Sequence, residues 1–218
     1  MNISSDYIAS LDVDAQYCFT PVCPTELPVP EGDLIADELN EQAQFARFRV
    51  GSKDAHPNNA IWIADEDNPV LSPILGPNVD LRWPAHAIPG TKGFELIAGL
   101  PKVTDYDFFV WKGVEPDLHP YGCCYHDFAE HLSTGLIEFL RAHHIELVIV
   151  GGLATDYCVK ITVLQLLTAG FKVIVNLAAC RGIALESTNH AIAEMQQAGA
   201  IMVQSVADLP QLLEYSLL

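Results

Sequence analysis

Cys158 sits in "GGLATDYCV", between an apolar run that ends at Val150 and a second apolar run from Val159 to Ala169. Read as a strand followed by a helix, these runs put the cysteine in the first turn of the helix, beyond the carboxyl end of the strand. A lone cysteine in an apolar helix is ordinary packing. This position differs because a helix start carries positive potential that favours a thiolate, and its unbonded N–H groups can hold an oxyanion. Two glycines make the turn before it tight.

A nucleophile needs a base. "SLDVDAQYCF" offers Asp12 and Asp14 at the end of another apolar strand, two apart and so on one side of it, and spacing alone does not choose between them. Lys112 closes "DFFVWK" and could hold a carboxylate in its charged form or polarise an attacked group. "SKDAHP" places Asp54 and His56 two apart, on one side of an extended segment. His86 in "RWPAHAIPG" would complete an aspartate and two histidines, a set that leaves positions open for water or substrate on a metal. Asp65 and Glu66 are further acidic candidates without a supporting pattern. "HPYGCCYH" (119–126) is rich in ligand-type residues, but its spacing matches no zinc motif.

These residues need a scaffold that brings strand ends together, and the rest of the chain reads as one. Strand-like runs at 7–13, 47–53, 106–112, 145–150, 171–175 and 200–203 alternate with helical patterns. The helices are expected at 33–46 with Asp33 as N-cap, at 127–144 with Phe128, Leu132, Leu136, Phe139 and Leu140 along one side, at 159–169, and from Ser187 as cap to Ala198. A short helix is expected in 207–218. Apolar strands alternating with helices predict an α/β fold: a six-stranded parallel sheet covered by helices on both faces, in one domain spanning 1–218. Ligands then bind beyond the carboxyl ends of the strands. Asp14–Gln16, Asp54–His56, Lys112 and Ala154–Cys158 all fall there. Residues 57–105, rich in Pro, Gly, Asp and Asn, read as a long excursion over that edge.

The 218 residues are half apolar, enough for a sizeable core, and 11 basic against 28 acidic residues give a net charge of −17. Such a surface repels phosphates, which argues against nucleic acid and anionic membranes as partners and leaves small molecules and metal ions. No apolar run approaches the roughly 20 residues of a membrane helix. "MNISSDYIAS" lacks a basic region followed by an apolar core, so no signal peptide is expected. The six cysteines are irregularly spaced and read as free thiols, with the cytoplasm as the expected location. A homo-oligomer is left open.

Taken in order, the motifs resemble those of the nicotinamidases (pyrazinamidases) among the isochorismatase-like cysteine hydrolases, and the resemblance runs over most of the chain. "DAQYCF" and "LPVPEGD" are similar to the family's D-x-Q-x-x-F and L-x-V-P-x-G-D. "KDAHP" resembles its metal D-x-H, "WPAHAIPGTKG" its W-P-x-H-x-x-x-G-T-x-G, "WKG" its lysine motif, and "GGLATDYCV" its G-x-x-T-D-x-C-V. The resemblance implies Cys158 as nucleophile, Asp14 rather than Asp12 as base, and Lys112 as their partner. It also implies oxyanion-hole N–H groups from Ala154 and Cys158, and a cis Leu153–Ala154 peptide. Gln16, Phe19, Trp83, Tyr121 and Leu153 would bind substrate. One divalent ion would sit on Asp54, His56 and His86, zinc foremost, with iron or manganese as alternatives. The implied reaction is hydrolysis of nicotinamide to nicotinate and ammonia, or of pyrazinamide to pyrazinoate, in NAD salvage. Two other readings are an amidase of the same fold acting on a carbamoyl or ureido substrate, and a non-catalytic metal-binding or thiol-sensing scaffold. The chain departs from the family pattern at Cys18, where an acidic residue is frequent, and at "HPYGCC", which keeps only Tyr121 of D-S-Y-S-A-F.

Overall fold

A computed structural model describes residues 3–214. Its main sheet has six strands, all parallel, in the order β5-β2-β1-β6-β7-β8. These are β1 (Ile8–Val13), β2 (Phe48–Asp54), β5 (Phe108–Lys112), β6 (Leu147–Leu153), β7 (Lys172–Arg181) and β8 (Ile201–Val203). The chain builds outward from β1 through β2 to β5, then returns to lay β6 on the other side of β1. The strand order therefore reverses between β1 and β6, where a crevice opens beyond the strand ends. Asp14 follows β1 and the Cys158 turn follows β6, so both border that crevice.

Alternation along the strands sorts the core into two layers. Ala9, Leu11 and Val13 of β1 join Val148 and Val150 of β6 on one face, under α2 (Leu136–Ala142), α3 (Lys160–Thr168) and α4 (Leu185–Gln197). Ile8, Leu147, Ile149 and Ile174 face the other way, toward α5 (Leu209–Glu214). On that same side α1 (Ala36–Ala43) packs over β1, β6 and β7. Both faces are thus buried, as an all-parallel sheet requires. No helix among the described residues is long and apolar enough to cross a membrane.

Several boundaries differ from the sequence expectation. The helix expected at 127–144 is formed only as α2. Asp127 Oδ1 accepts from the N–H groups of His131 and Leu132, and Gly135 is left-handed at φ 88°, so side-chain turns replace helix before Leu136. Phe128 and Leu132 are consequently exposed rather than aligned with the core. Helix α1 begins after Ile35, and Asp33 lies in a 3-10 turn ahead of it instead of capping it. Strand β7 runs on to Arg181, past the polar Asn176, whose amide bonds Glu38 and Gln42 of α1. Helix α4 starts at Leu185, not at Ser187. The end of the expected 207–218 helix, residues 215–218, lies outside the described residues.

Residues 57–105 hold a small antiparallel pair, β3 (Pro73–Gly76) with β4 (Val79–Leu81). They also carry a compact apolar group of Ala60, Trp62, Val79 and Trp83, which packs onto Tyr121, Tyr157 and Ile183 at the crevice.

Candidate active site

Asp14 is the first residue past β1, and its backbone is left-handed at φ 44°. The kink separates it from Asp12, whose carboxylate accepts from Arg49 at 2.6 Å and from Tyr106 at 2.8 Å. The two aspartates that spacing could not tell apart thus have different partners. Asp14 Oδ1 accepts from Ser52 Oγ at 2.7 Å, and Oδ2 lies 3.0 Å from Lys112 Nζ. Lys112 also donates to Asp54 Oδ1, to the Pro120 carbonyl at 3.1 Å and to Cys158 Sγ at 3.7 Å. All four side chains are buried.

The charges here are set by a contest between burial and one ammonium. Burial raises the Asp14 carboxyl to about 6 against the opposing pull of Lys112, with Asp54 adding to the rise. Burial would raise Asp54 too, but Lys112, His56 and His86 hold it below the usual carboxylate range. Burial alone would lower Lys112, yet Asp14 and Asp54 keep its ammonium well above the ordinary lysine value. Burial pushes the Cys158 thiol well up; Lys112 pulls it down, but Asp14 and Asp54 oppose that pull. The free protein therefore holds a thiol, not the thiolate expected from a helix start. The turn itself differs from that expectation: Thr155–Val159 form one wide π-type turn ahead of α3. The Leu153–Ala154 peptide is cis.

Two features fix this turn. A Cβ on Gly152 (φ 137°) would lie 2.0 Å from the Val13 carbonyl oxygen, so only glycine lets β6 pass this close to the end of β1. Asp156 accepts from Ile183 N at 3.0 Å, Ala184 N at 3.3 Å and Ser187 Oγ at 2.5 Å, tying the turn to the start of α4. Sequence reasoning gave Asp156 no role. Its place between a strand end and a cysteine was visible, but its partners lie about thirty residues on.

Next to this group stands a cluster of imidazoles. His56 Nδ1 meets the Gly113 carbonyl at 3.0 Å and His86 Nδ1 meets the Pro84 carbonyl at 2.7 Å. A carbonyl only accepts, so each Nδ1 carries a proton, and in the neutral ring Nε2 is the nitrogen left with a lone pair. His56 Nε2 is 3.5 Å from Asp54 Oδ1, and His86 Nε2 is 3.9 Å from Asp54 Oδ2. His56 Nε2 is buried with no hydrogen-bond partner. Burial, then His56, lowers His86 to about 3, which keeps it neutral. Two imidazoles fixed by backbone carbonyls, each turning Nε2 toward one carboxylate, are a donor set that fits a divalent ion such as zinc. His119 joins them: one ring nitrogen from each of His56, His86 and His119 falls within 4.8 Å of the others. The sequence had offered His119 only inside a stretch without metal spacing. Asp65 and Glu66 are exposed, and the Asp65 carboxylate closes its own turn onto Asn68.

Both groups reach one small, narrow pocket, which Cys158 enters from one side and His86 and His119 from the other. Cys158, Asp54, His86 and His119 supply its polar wall, and Phe19, Trp83, Tyr121 and Tyr157 much of its apolar wall. Trp83 Nε1 donates to Tyr121 Oη, which donates to Asp80. Ala154 also lines the cavity, whereas two residues expected to touch substrate lie elsewhere. Gln16 clasps the Asp54 backbone, accepting from its N–H at 2.7 Å and donating to its carbonyl at 2.9 Å. Leu153 is packed in the apolar layer with Val29, Ile35 and Leu39.

Residues 77–207 match the isochorismatase domain. A nicotinamidase of Escherichia coli is 35% identical over 186 residues, covering 81% of this chain and 85% of that protein. The chain belongs to the isochorismatase family. Among solved structures of that family, a nicotinamidase/pyrazinamidase of Acinetobacter baumannii superposes with a TM-score of 0.85 at 32% identity, covering 94% of this chain and 98% of the other. A pyrazinamidase of Pyrococcus horikoshii, solved in complex with zinc, gives 0.72 at 32% identity, covering 91% and 99%.

Proposed function

We propose that the chain is a cysteine amidohydrolase that converts nicotinamide to nicotinate and ammonia, and pyrazinamide to pyrazinoate, in NAD salvage. The observation that carries this reading is the Asp14–Lys112–Cys158 group, with Lys112 Nζ 3.0 Å from the carboxylate and 3.7 Å from the sulfur. It opens on the same small cavity as the imidazoles. The nicotinamidase and pyrazinamidase relatives, among them a pyrazinamidase solved with zinc, support the substrate class.

Asp14 takes the proton of Cys158 as Sγ attacks the carboxamide carbon. The carbonyl π electrons move onto oxygen, where the N–H groups of Ala154 and Cys158 receive the charge. Collapse breaks the C–N bond, and Asp14 returns the proton to the departing ammonia, leaving a thioester. Asp14 then takes a proton from water as the water oxygen attacks the same carbon. The C–S bond breaks, the acid is released, and Asp14 passes the proton taken from water to the departing sulfur, restoring the thiol and the carboxylate. Lys112 stays charged throughout and keeps Asp14 facing the thiol. Phe19 and Trp83 flank the ring. Asp54, His56 and His86 would hold a divalent ion, which supplies Lewis acidity toward a ring nitrogen and so orients the carboxamide.

The test is ammonia release from nicotinamide by purified protein, before and after removal of metal with a chelator, with Cys158→Ala as control. Release that needs both Cys158 and the metal is expected. Turnover of a ureido substrate, insensitive to the chelator, would replace this reading with that of a carbamoyl amidase. No turnover of any amide would leave a scaffold.

A further inference from the structure

His119 is buried, yet neither of its ring nitrogens has a hydrogen-bond partner. An imidazole always carries at least one N–H and, when neutral, one lone pair. Leaving such groups dry and unpaired in the interior is unfavourable. Its packing does not need them. The ring lies 4.4 Å from Trp62 and is nearly parallel to Trp83 at 6.1 Å, contacts that a phenylalanine could make. Only the nitrogens lack an explanation.

The surroundings supply one. His119 is stacked 5.0 Å from the His56 ring, and one of its nitrogens comes within 4.8 Å of the ligand-type nitrogens of His56 and His86. Zinc binds nitrogen at about 2.0–2.1 Å, so neighbouring ligand atoms stand roughly 3 Å apart, and an expanded coordination shell keeps a position open beside four protein ligands. Modest side-chain rotation would bring the three nitrogens to that spacing. The backbone that presents His119 is anchored on three sides. Its N–H donates to the Asn78 carbonyl at 2.9 Å, the Leu118 carbonyl accepts from Trp62 Nε1 at 3.1 Å, and the Pro120 carbonyl accepts from Lys112.

We propose that His119 is a third imidazole ligand of the divalent ion held by Asp54, His56 and His86. This rests on the metal reading above and goes beyond it: the ion is gripped by three histidines and one carboxylate. Imidazole suits zinc and iron better than magnesium or manganese, so His119 also sets which metal is retained. A second consequence is mechanical. The Lys112–Pro120 hydrogen bond ties the segment carrying this ligand to the lysine beside the nucleophile.

The experiment uses the full chain, stripped with a chelator, as wild type, His86→Ala, His119→Phe and His119→Ala. Zinc affinity is measured by competition with a chromophoric chelator, together with the thermal midpoint with and without zinc. Loss of an outer-shell partner costs roughly 10–100-fold in metal affinity, so loss of a ligand at His119→Phe should cost at least about 100-fold. The zinc-induced rise in midpoint should shrink with it. The metal-free midpoint should hold or rise, because two unpaired polar atoms have been removed from the interior. Cobalt substitution of the wild type should give three hyperfine-shifted imidazole N–H signals in proton NMR, a readout that needs no variant. Zinc binding by His119→Phe within about threefold of wild type, or only two shifted imidazole signals, overturns the proposal while His86→Ala still reports on the metal site. Failure of wild type itself to bind zinc or cobalt removes the metal reading as well.

Discussion

Asp54 and Lys112 are cross-strand partners: they sit opposite each other at the ends of β2 and β5, and Lys112 Nζ bonds Asp54 Oδ1. One ladder position thus joins the two halves of the site. On one side of the pair stand the imidazoles that face Asp54, and on the other stand Asp14 and Cys158, which face the same ammonium. The lysine lies between two buried carboxylates, and removing it would leave both without a counter-charge.

The pH profile of Lys112→Met follows from that placement. The base form of Asp14 is present above its value of about 6. As pH falls through 6 the carboxylate is protonated, and kcat/KM should drop tenfold per unit. Lys112 is what pulls Asp14 down and Asp54 is what pushes it up. Without the ammonium the Asp14 carboxyl rises, so the acid limb should move to higher pH by about one unit or more, with a lower plateau. A limb that stays in place would show that Asp14 is not the titrating base.

Asp14→Asn keeps the shape and can still accept from Ser52, but it cannot take a proton. Loss of a general base costs about 10²–10⁴-fold, and one carboxylate serves both halves of this reaction, so a fall toward the upper end is expected. Burial keeps the Cys158 thiol protonated in the free protein. Loss of the Asp14 charge alone would ease ionisation of the thiol, so slower alkylation of Cys158 by iodoacetamide in this variant, followed by mass spectrometry, is expected because the proton acceptor is gone. Cys23 is the one cysteine of the six that is not buried, and its labelling should be unaffected. Equal Cys158 labelling rates in wild type and variant would remove Asp14 from the proton path.

The sheet was legible because parallel strands buried on both faces read as apolar runs, and all six expected runs are strands. The polar residues beyond their ends were legible for the same reason: Asp14, Asp54, Lys112 and Cys158 each interrupt or follow such a run. What stayed hidden depends on contacts far along the chain. Gln16 looked like a pocket residue, but its amide is held by the Asp54 backbone 38 residues on. His119 lies in a stretch with no ligand spacing, because the β2 strand end and the excursion deliver the other two histidines to it. The 127–135 segment has helical periodicity in Phe128 and Leu132, and local Asp127 and Gly135 conformations override it.

Gly152→Ala tests how closely β6 must pass β1. The added Cβ meets the Val13 carbonyl oxygen at 2.0 Å, a backbone atom that cannot rotate away, at a φ of 137° that side chains avoid. Steric overlap inside a central strand belongs with the large destabilisations, on the order of 4 kcal/mol or more. Chemical denaturation should show a strongly lowered midpoint or no folded protein. Gly90→Ala is the control: it also has positive φ, but a Cβ there meets nothing within 4 Å, so its cost should be about 1 kcal/mol.

Asp156 separates positioning from chemistry. Its carboxylate receives the first N–H groups around α4 and the Ser187 hydroxyl, so it acts as a cap supplied from another part of the chain. Replacing such a cap by alanine costs about 0.5–2 kcal/mol of stability. The same bonds hold the turn two residues before Cys158, whose sulfur must stay near Lys112 and Asp14. Asp156→Ala should therefore lower kcat by more than it raises KM, while the acid limb set by Asp14 stays where it is. Asp156→Asn retains an acceptor oxygen but points an N–H₂ group at donors, so it should recover only part of the loss. Steady-state kinetics across pH, run beside a denaturation curve for each variant, checks both effects. A shifted acid limb in Asp156→Ala would mean that the residue acts on the charge balance of the site rather than on the place of the thiol.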